Sequence, residues 1–140
     1  MSYDKNNIFA KILRGEAPAV KVHEDTKTLA FMDLFPQSKG HTLIIPKYEA
    51  ETILDCPPDM LQTLILMTQR IAKAVDKAIK PDGLLIAQFN RPAAGQSVPH
   101  LHFHVMPRYT GQVLKTHFAA GNKADEKELQ DFAAKIKAAL

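Results

Sequence analysis

Apolar and polar positions change rhythm along this chain, and each change marks an element. Ile8, Phe9, Ile12 and Leu13 recur at helical spacing between Asp4, a capping residue, and Gly15, a stop, which predicts a first helix over residues 4–14. Short apolar runs follow at residues 20–24 and 29–33, joined through Asp25-Thr26-Lys27 as in a hairpin. Phe35-Pro36-Gln37-Ser38-Lys39-Gly40 reads as a loop by its proline, polar residues and glycine, and residues 41–45, closed by Pro46, read as a third strand.

The longest pattern starts at Pro57 or Pro58, where proline suits a first helical turn, and runs to about Lys80 before Pro81-Asp82-Gly83 ends it. Leu61, Leu64, Ile65, Ile71, Ala72, Val75 and Ile79 form its stripe. Leu66 and Met67 widen the stripe beyond what one core needs, and that surplus suits a subunit contact. A fourth strand is predicted at 84–88 and a fifth at 100–106, with a Pro-, Gly-, Ala- and Ser-rich loop over 90–99 between them. A last helix spans about 125–139, with Asp125 and Glu128 at capping-box spacing and Leu129, Phe132, Ala133 and Ile136 on its face. Residues 108–123 carry no pattern. Short strands joined by turns, with one long and two terminal helices, predict a single α+β domain over 1–140 around a mostly antiparallel five-stranded sheet.

Composition narrows the class. A chain of 140 residues with 46% hydrophobic and 24% charged residues has the make-up of one ordinary globular domain. No apolar run approaches the ~20 residues that span a bilayer, and the polar N-terminus lacks a signal-peptide core, so a cytoplasmic protein without a membrane partner is expected. Cys56 is the single cysteine, which excludes an internal disulfide, and its Pro57-Pro58 context is structural. The formal charge of +3 is mild and its lysines are scattered without the arginine and aromatic interleaving of a nucleic-acid platform, so a small anionic ligand fits this balance as well as a polynucleotide does; no nucleic-acid partner is expected.

The concentrated chemistry is Pro99-His-Leu-His-Phe-His-Val-Met-Pro107. On a strand, His100, His102 and His104 share one face and Leu101, Phe103 and Val105 the other. Three readings of the histidines stand. They can ligate a metal with His41 nearby, although no thiolate pair or local carboxylate accompanies the run. They can be structural, each satisfied by neighbours. Or they can serve nucleophilic catalysis at phosphorus: His102, the middle one, attacks through one ring nitrogen while a backbone carbonyl or His100 holds the other, and His104 donates to the phosphoryl oxygens or the departing group. Just upstream, Gly95-Gln96-Ser97 offers backbone N–H groups as a phosphate cradle.

The segment from Gly95 to Arg108 resembles the histidine triad (HIT) family of nucleotide-binding proteins, whose signature is His-φ-His-φ-His-φ-φ with φ apolar. The resemblance extends through residues 7–18, 30–37 and 39–47, covers roughly 6–109, and is strongest toward the Hint-like and bacterial branch. It implies a homodimer whose sheets join across the subunits, each with a purine nucleotide site. It implies His102 as the residue that becomes nucleotidylated, supported by His100, His104 and His41. It further implies Asp33 as acceptor for the ribose hydroxyls, Leu34, Phe31, Phe9 and Ile12 as walls for the base, and Asn90, Gly95, Gln96 and Ser97 as holders of phosphate and leaving group. Without the family, the four wall residues read as plain core and Asp33 as a strand-end turn residue.

The expected activity is hydrolysis or transfer at the α-phosphorus of a purine nucleoside monophosphate derivative, a phosphoramidate, acyl-adenylate or dinucleoside polyphosphate. The alternative is a nucleotide-binding regulatory or scaffold protein with incidental hydrolysis. No metal or organic cofactor is expected. Where some bacterial relatives hold a structural zinc through Cys-x-x-Cys, this chain has Asn7 and Ala10, and its lack of tryptophan separates its tail from that of the Hint phosphoramidases. His23 and His117 fall outside every pattern and are expected at the surface.

Overall fold

The computed structural model describes residues 2–113 and 122–140. Its elements in order are α1 (Ile8–Leu13), β1 (Lys21–Glu24), β2 (Thr28–Met32), β3 (Thr42–Pro46), α2 (Pro58–Ile79), β4 (Gly83–Ala87), β5 (Phe103–Arg108) and α3 (Glu126–Ala139). The strands form one antiparallel sheet in the order β1-β2-β3-β5-β4, so the α+β expectation holds. No helix among the described residues is long and apolar enough to cross a membrane.

Most boundaries have local causes. Asn7, not Asp4, caps α1: its Oδ1 accepts from the Ala10 N–H at 2.8 Å, so the helix starts at residue 8 and not 4. Pro81 disfavours helical geometry at residue 80. Lys80 accordingly turns left-handed (φ 54°), returns its N–H to the Asp76 carbonyl at 2.9 Å, and ends α2 at Ile79. At α3 the Asp125 carboxylate accepts from the Glu128 N–H at 3.3 Å.

The fifth strand differs from expectation. It begins at Phe103, because the ladder with β4 runs only from Gly83↔Arg108 to Ala87↔His104. Ahead of it, the His100 N–H bonds to the Val98 carbonyl and the Leu101 N–H to the Ala50 carbonyl, both at 2.8 Å, so these amides leave the sheet. His100, in a bend, and His102 therefore precede the strand, and only His104 is on it.

Alternation sends β-strand side chains to two cores. Ala30 and Met32 of β2, Ile44 of β3 and Phe103 and Val105 of β5 face α2 and α3, where Leu64, Ile71, Val75, Leu129, Ala133 and Ile136 complete the larger core. On the opposite face Leu29, Phe31, Leu43 and Ile45 pack under Phe9 and Ile12 of α1. Because α1 is six residues long, it covers only part of that face. Gly40 brings the chain into β3: at φ +93° a Cβ would overlap Ile79 Cδ1 and press on Pro107 Cγ at 3.2 Å, so glycine is required where the β2–β3 loop meets α2 and β5.

Candidate active site

Beside α1 the uncovered face opens into a cleft of about 1010 Å³, and His41, His102 and His104 all line it. His104 lies mid-sheet, opposite Leu43 of β3 and Ala87 of β4. His41 precedes β3 by one residue and His102 precedes β5 by one. Ring centroids are 4.9 Å apart for His102 and His104, and 5.1 Å for His41 and His104. Phe89, just past β4, stands edge-on to His104 at 5.3 Å.

Partners that can only donate or only accept fix the tautomers. The Nδ1–H of His102 donates to the backbone carbonyl of His100 at 2.6 Å, which leaves the lone pair on Nε2. The backbone N–H of Gln37 donates to His41 Nδ1 at 3.1 Å. The His41 proton therefore sits on Nε2 and points at His104 Nδ1, 2.9 Å away. His104 in turn carries its proton on Nε2. The site thus pairs one imidazole with a bare Nε2 and one with a protonated Nε2.

Asp33 lies at the cleft edge beyond β2. Its Oδ1 accepts from the Phe35 N–H at 2.8 Å, as a turn residue does, and its Oδ2 is 3.5 Å from His41 Nε2. Asp33, His41 and His104 each bring a ligand atom within 4.8 Å of the others, a spacing compatible with a metal ion. The hydrogen-bond direction opposes that use. To bind an ion through Nε2, His41 would have to move its proton to Nδ1, where Gln37 already donates.

The cleft brings together most of the expected residues, and two fall outside it. His100 is turned away, 1% exposed, with its Nε2–H donated to the Pro46 carbonyl at 2.9 Å and its Nδ1 accepting from the Tyr3 hydroxyl. Burial holds its pKa below the usual 6.5, and its side chain is not among those that line the cleft. Asn90 accepts from the Ile53 N–H at 2.8 Å and pairs with the Gln88 carboxamide, tying β4 to the segment before α2 instead of lining the cleft.

The loop expected as a phosphate cradle also takes a different form. The N–H groups of Gly95 and Gln96 close a tight turn onto the Pro92 and Arg91 carbonyls at 2.9 and 3.1 Å. The Gln96 side chain accepts from the Arg91 N–H and donates to the carbonyls of Glu51 and Val98, so it buckles the loop. Arg91, at φ 76°, is held by this buckle in a conformation that disfavours side chains. Ser97 keeps an exposed position on the cleft wall.

The apolar wall is both core and cleft. Phe9, Ile12 and Phe31 are buried and line the cavity, while Leu34 is 44% exposed at its rim. Phe9 meets Phe31 edge-on at 5.3 Å and stands perpendicular to the His102 ring at 5.0 Å. Sequence reasoning missed Gln37, whose contribution is a backbone N–H and leaves no signature. It also missed the far lip, where the Ala124 N–H bonds to the Leu34 carbonyl at 2.9 Å and Lys123, Asp125 and Leu129 line the cleft. His23 is half-buried, with Nε2 3.4 Å from Asp25 Oδ2, and not simply a surface residue. His117 lies outside the described residues.

Known proteins match this arrangement. A family model described as HIT domain matches residues 14–111. Protein hit of Bacillus subtilis (strain 168) is 40% identical over 118 residues, 81% of each chain. Adenosine 5'-monophosphoramidase hnt1 of Schizosaccharomyces pombe is 39% identical over 101 residues, 72% of this chain and 73% of that one. The crystal structure of a Hit-like protein involved in cell-cycle regulation from Bartonella henselae superposes with a TM-score of 0.91 at 45% identity over 100% of both chains.

Proposed function

The chain belongs to the histidine triad family, and from that premise we propose that it is a nucleotidyl hydrolase or transferase acting at the α-phosphorus of a purine nucleoside monophosphate derivative. The observation that carries the reading is the 2.6 Å hydrogen bond from His102 Nδ1–H to the His100 carbonyl, made by a ring in the cleft wall. A neutral imidazole with its lone pair fixed on Nε2 is a nucleophile that needs no prior deprotonation. The name of the fission-yeast relative, a monophosphoramidase, supports the same class of substrate.

In this reading the base rests against Phe9, Ile12, Phe31 and Leu34, and the ribose hydroxyls donate to Asp33. His102 Nε2 forms a bond to the α-phosphorus as the bond to the leaving group breaks. An amine, acylate or nucleotide departs, and the Nε2–H of His104, in the cleft wall, is the donor offered to compensate its charge. Water then attacks the phosphorus of the nucleotidyl-histidine, the N–P bond breaks, one water proton passes through solvent to the departed leaving group, and the lone pair returns to His102 Nε2. Gln37, through His41, keeps His104 in the donor tautomer for both steps.

Rapid quench with adenosine phosphoramidate, an acyl-adenylate and a dinucleoside polyphosphate, read by intact mass, tests this directly. The wild-type protein should gain one nucleotidyl group with at least one of them, and His102→Ala should gain none while still binding AMP. Adduct formation in His102→Ala would remove the mechanism. Tight AMP binding with no adduct in the wild type would point to the regulatory reading instead.

A homodimer is the second part of the proposal. It is supported by β4, an edge strand exposing Leu85 and Ile86, and by Ile65 and Leu66 on the outer side of α2, with Leu66 64% exposed. Light scattering should give twice the chain mass, and Leu66→Glu with Ile86→Lys should halve it; a wild-type monomer at micromolar concentration would exclude this contact.

A further inference from the structure

We propose that Tyr3 is a positioning residue for His102, acting through the ring and carbonyl of His100. The proposal deepens the reading of His102 as nucleophile and rests on it. Tyr3 lies five residues before α1, in a segment whose sequence carries no chemistry of its own. Its hydroxyl nevertheless joins a directed chain of hydrogen bonds that ends at the nucleophile.

The direction of that chain is fixed at each link. Pro46 offers His100 only a carbonyl, so His100 Nε2 carries the proton, at 2.9 Å. The neutral ring then has its lone pair on Nδ1, and the Tyr3 O–H is its donor at 2.5 Å. The Tyr3 oxygen accepts in turn from Asn7 Nδ2 at 2.8 Å. Asn7 is itself locked, because its Oδ1 caps α1 at the Ala10 N–H. Beyond His100 the chain leaves the side chain: the His100 carbonyl takes the Nδ1–H of His102 at 2.6 Å.

That carbonyl is what decides which nitrogen of His102 carries the lone pair, since an unrestrained imidazole can place its proton on either. The aim of the carbonyl depends on the conformation of residues 100–101. The backbone is tied by the His100 N–H to Val98 and by the Leu101 N–H to Ala50, and the ring by Pro46 and Tyr3. Of these four ties, Tyr3 is the single one that arrives from outside the sheet and its adjoining loops. Without it, Nδ1 of a ring that is 1% exposed would lose its donor, and a buried acceptor with no partner drives the ring to rotate or to recruit water. Either response moves the residue whose carbonyl holds His102.

Tyr3→Phe removes the hydroxyl alone. Asn7→Asp keeps the α1 cap and instead draws the Tyr3 proton toward a carboxylate, away from His100. In both variants, histidine ring 15N spectra near pH 7.5 should show the two nitrogens of His102 moving toward averaged values, where the wild type keeps a protonated Nδ1 and a bare Nε2. In turnover of adenosine phosphoramidate, kcat should fall roughly tenfold while KM stays within about twofold, as for loss of orientation rather than binding. A role confined to fastening the N-terminus would lower the melting temperature and leave the His102 ring signals unmoved. That result in either folded variant overturns the proposal. The ring signals require no substrate, so a wild-type protein that forms no nucleotidyl adduct would defeat the assignment of the nucleophile while the tautomer measurement still decides whether Tyr3 sets it.

Discussion

The two faces of the sheet are built from the same strands and reach opposite ends. Toward α2 and α3 the strands present Ala30, Met32, Ile44, Phe103 and Val105, and α2, twenty-two residues long, packs its buried face against them. Toward α1 the same strands present Leu29, Phe31, Leu43 and Ile45, then His104, with His41 and His102 from the strand lead-ins. Burial does not separate the two: His41 and His104 are 1% and 2% exposed, and Ile44 is 0%. What separates them is that one face is closed by a long helix, while the other has six residues of helix and a ring of directed hydrogen bonds around an opening. One side supplies stability; the other spends part of the core on imidazoles that need partners.

The contrast can be broken most severely from the closed side. Ile71, 0% exposed under the sheet, should cost about 2–5 kcal/mol when changed to Ala, measured by urea unfolding. Its KM, taken at a temperature where the variant is still folded, should be unchanged. A substantial KM shift would mean the two faces are mechanically coupled. Phe9→Leu probes the open side. Keeping most of the volume, it should cost less than about 1.5 kcal/mol of stability. The lost edge-on contact with His102, of the order of 0.5–1.5 kcal/mol, should appear as a KM or kcat change of about two- to tenfold.

The smallest effect is one of pH. Burial, the dominant influence, holds the His100 pKa below 6.5, with the Pro46 carbonyl and the Glu49 carboxylate pulling the other way. The unfolded chain therefore takes up this proton at a higher pH than the folded one. Stability from His100 is complete above about pH 6.5 and declines as the pH falls from there toward its lower folded value. Urea midpoints at about pH 7.5 and 5.5 should show the loss, and His100→Gln should flatten it. The carboxylates act in a lower window: Glu24, held at about 2 by hydrogen bonds from Lys21 and then Lys47, titrates well below that range.

Local pattern made five strands, three helices and their order legible, because spacing, caps and prolines act within a few residues. Gly15 and Pro81 stop helices as their backbones demand, and alternation placed Leu101, Phe103 and Val105 away from the histidines. The histidines of the run were legible as reactive groups for the same reason. Their division of labour was not. One alternating pattern contains His100, His102 and His104, yet the structure sends the first to Tyr3 and Pro46, turns the second to a carbonyl, and sets the third against His41, sixty-three residues away. Gln96 and Asn90 read equally well as phosphate ligands until the carbonyls of Glu51 and Val98 and the Ile53 N–H are seen to occupy them. Sequence alone determined which reactive side chains this protein carries and near which elements they fall. Tertiary structure decided which nitrogen holds a proton and which polar group is left for a ligand, because a hydrogen bond is set by distance and direction between residues far apart in the chain.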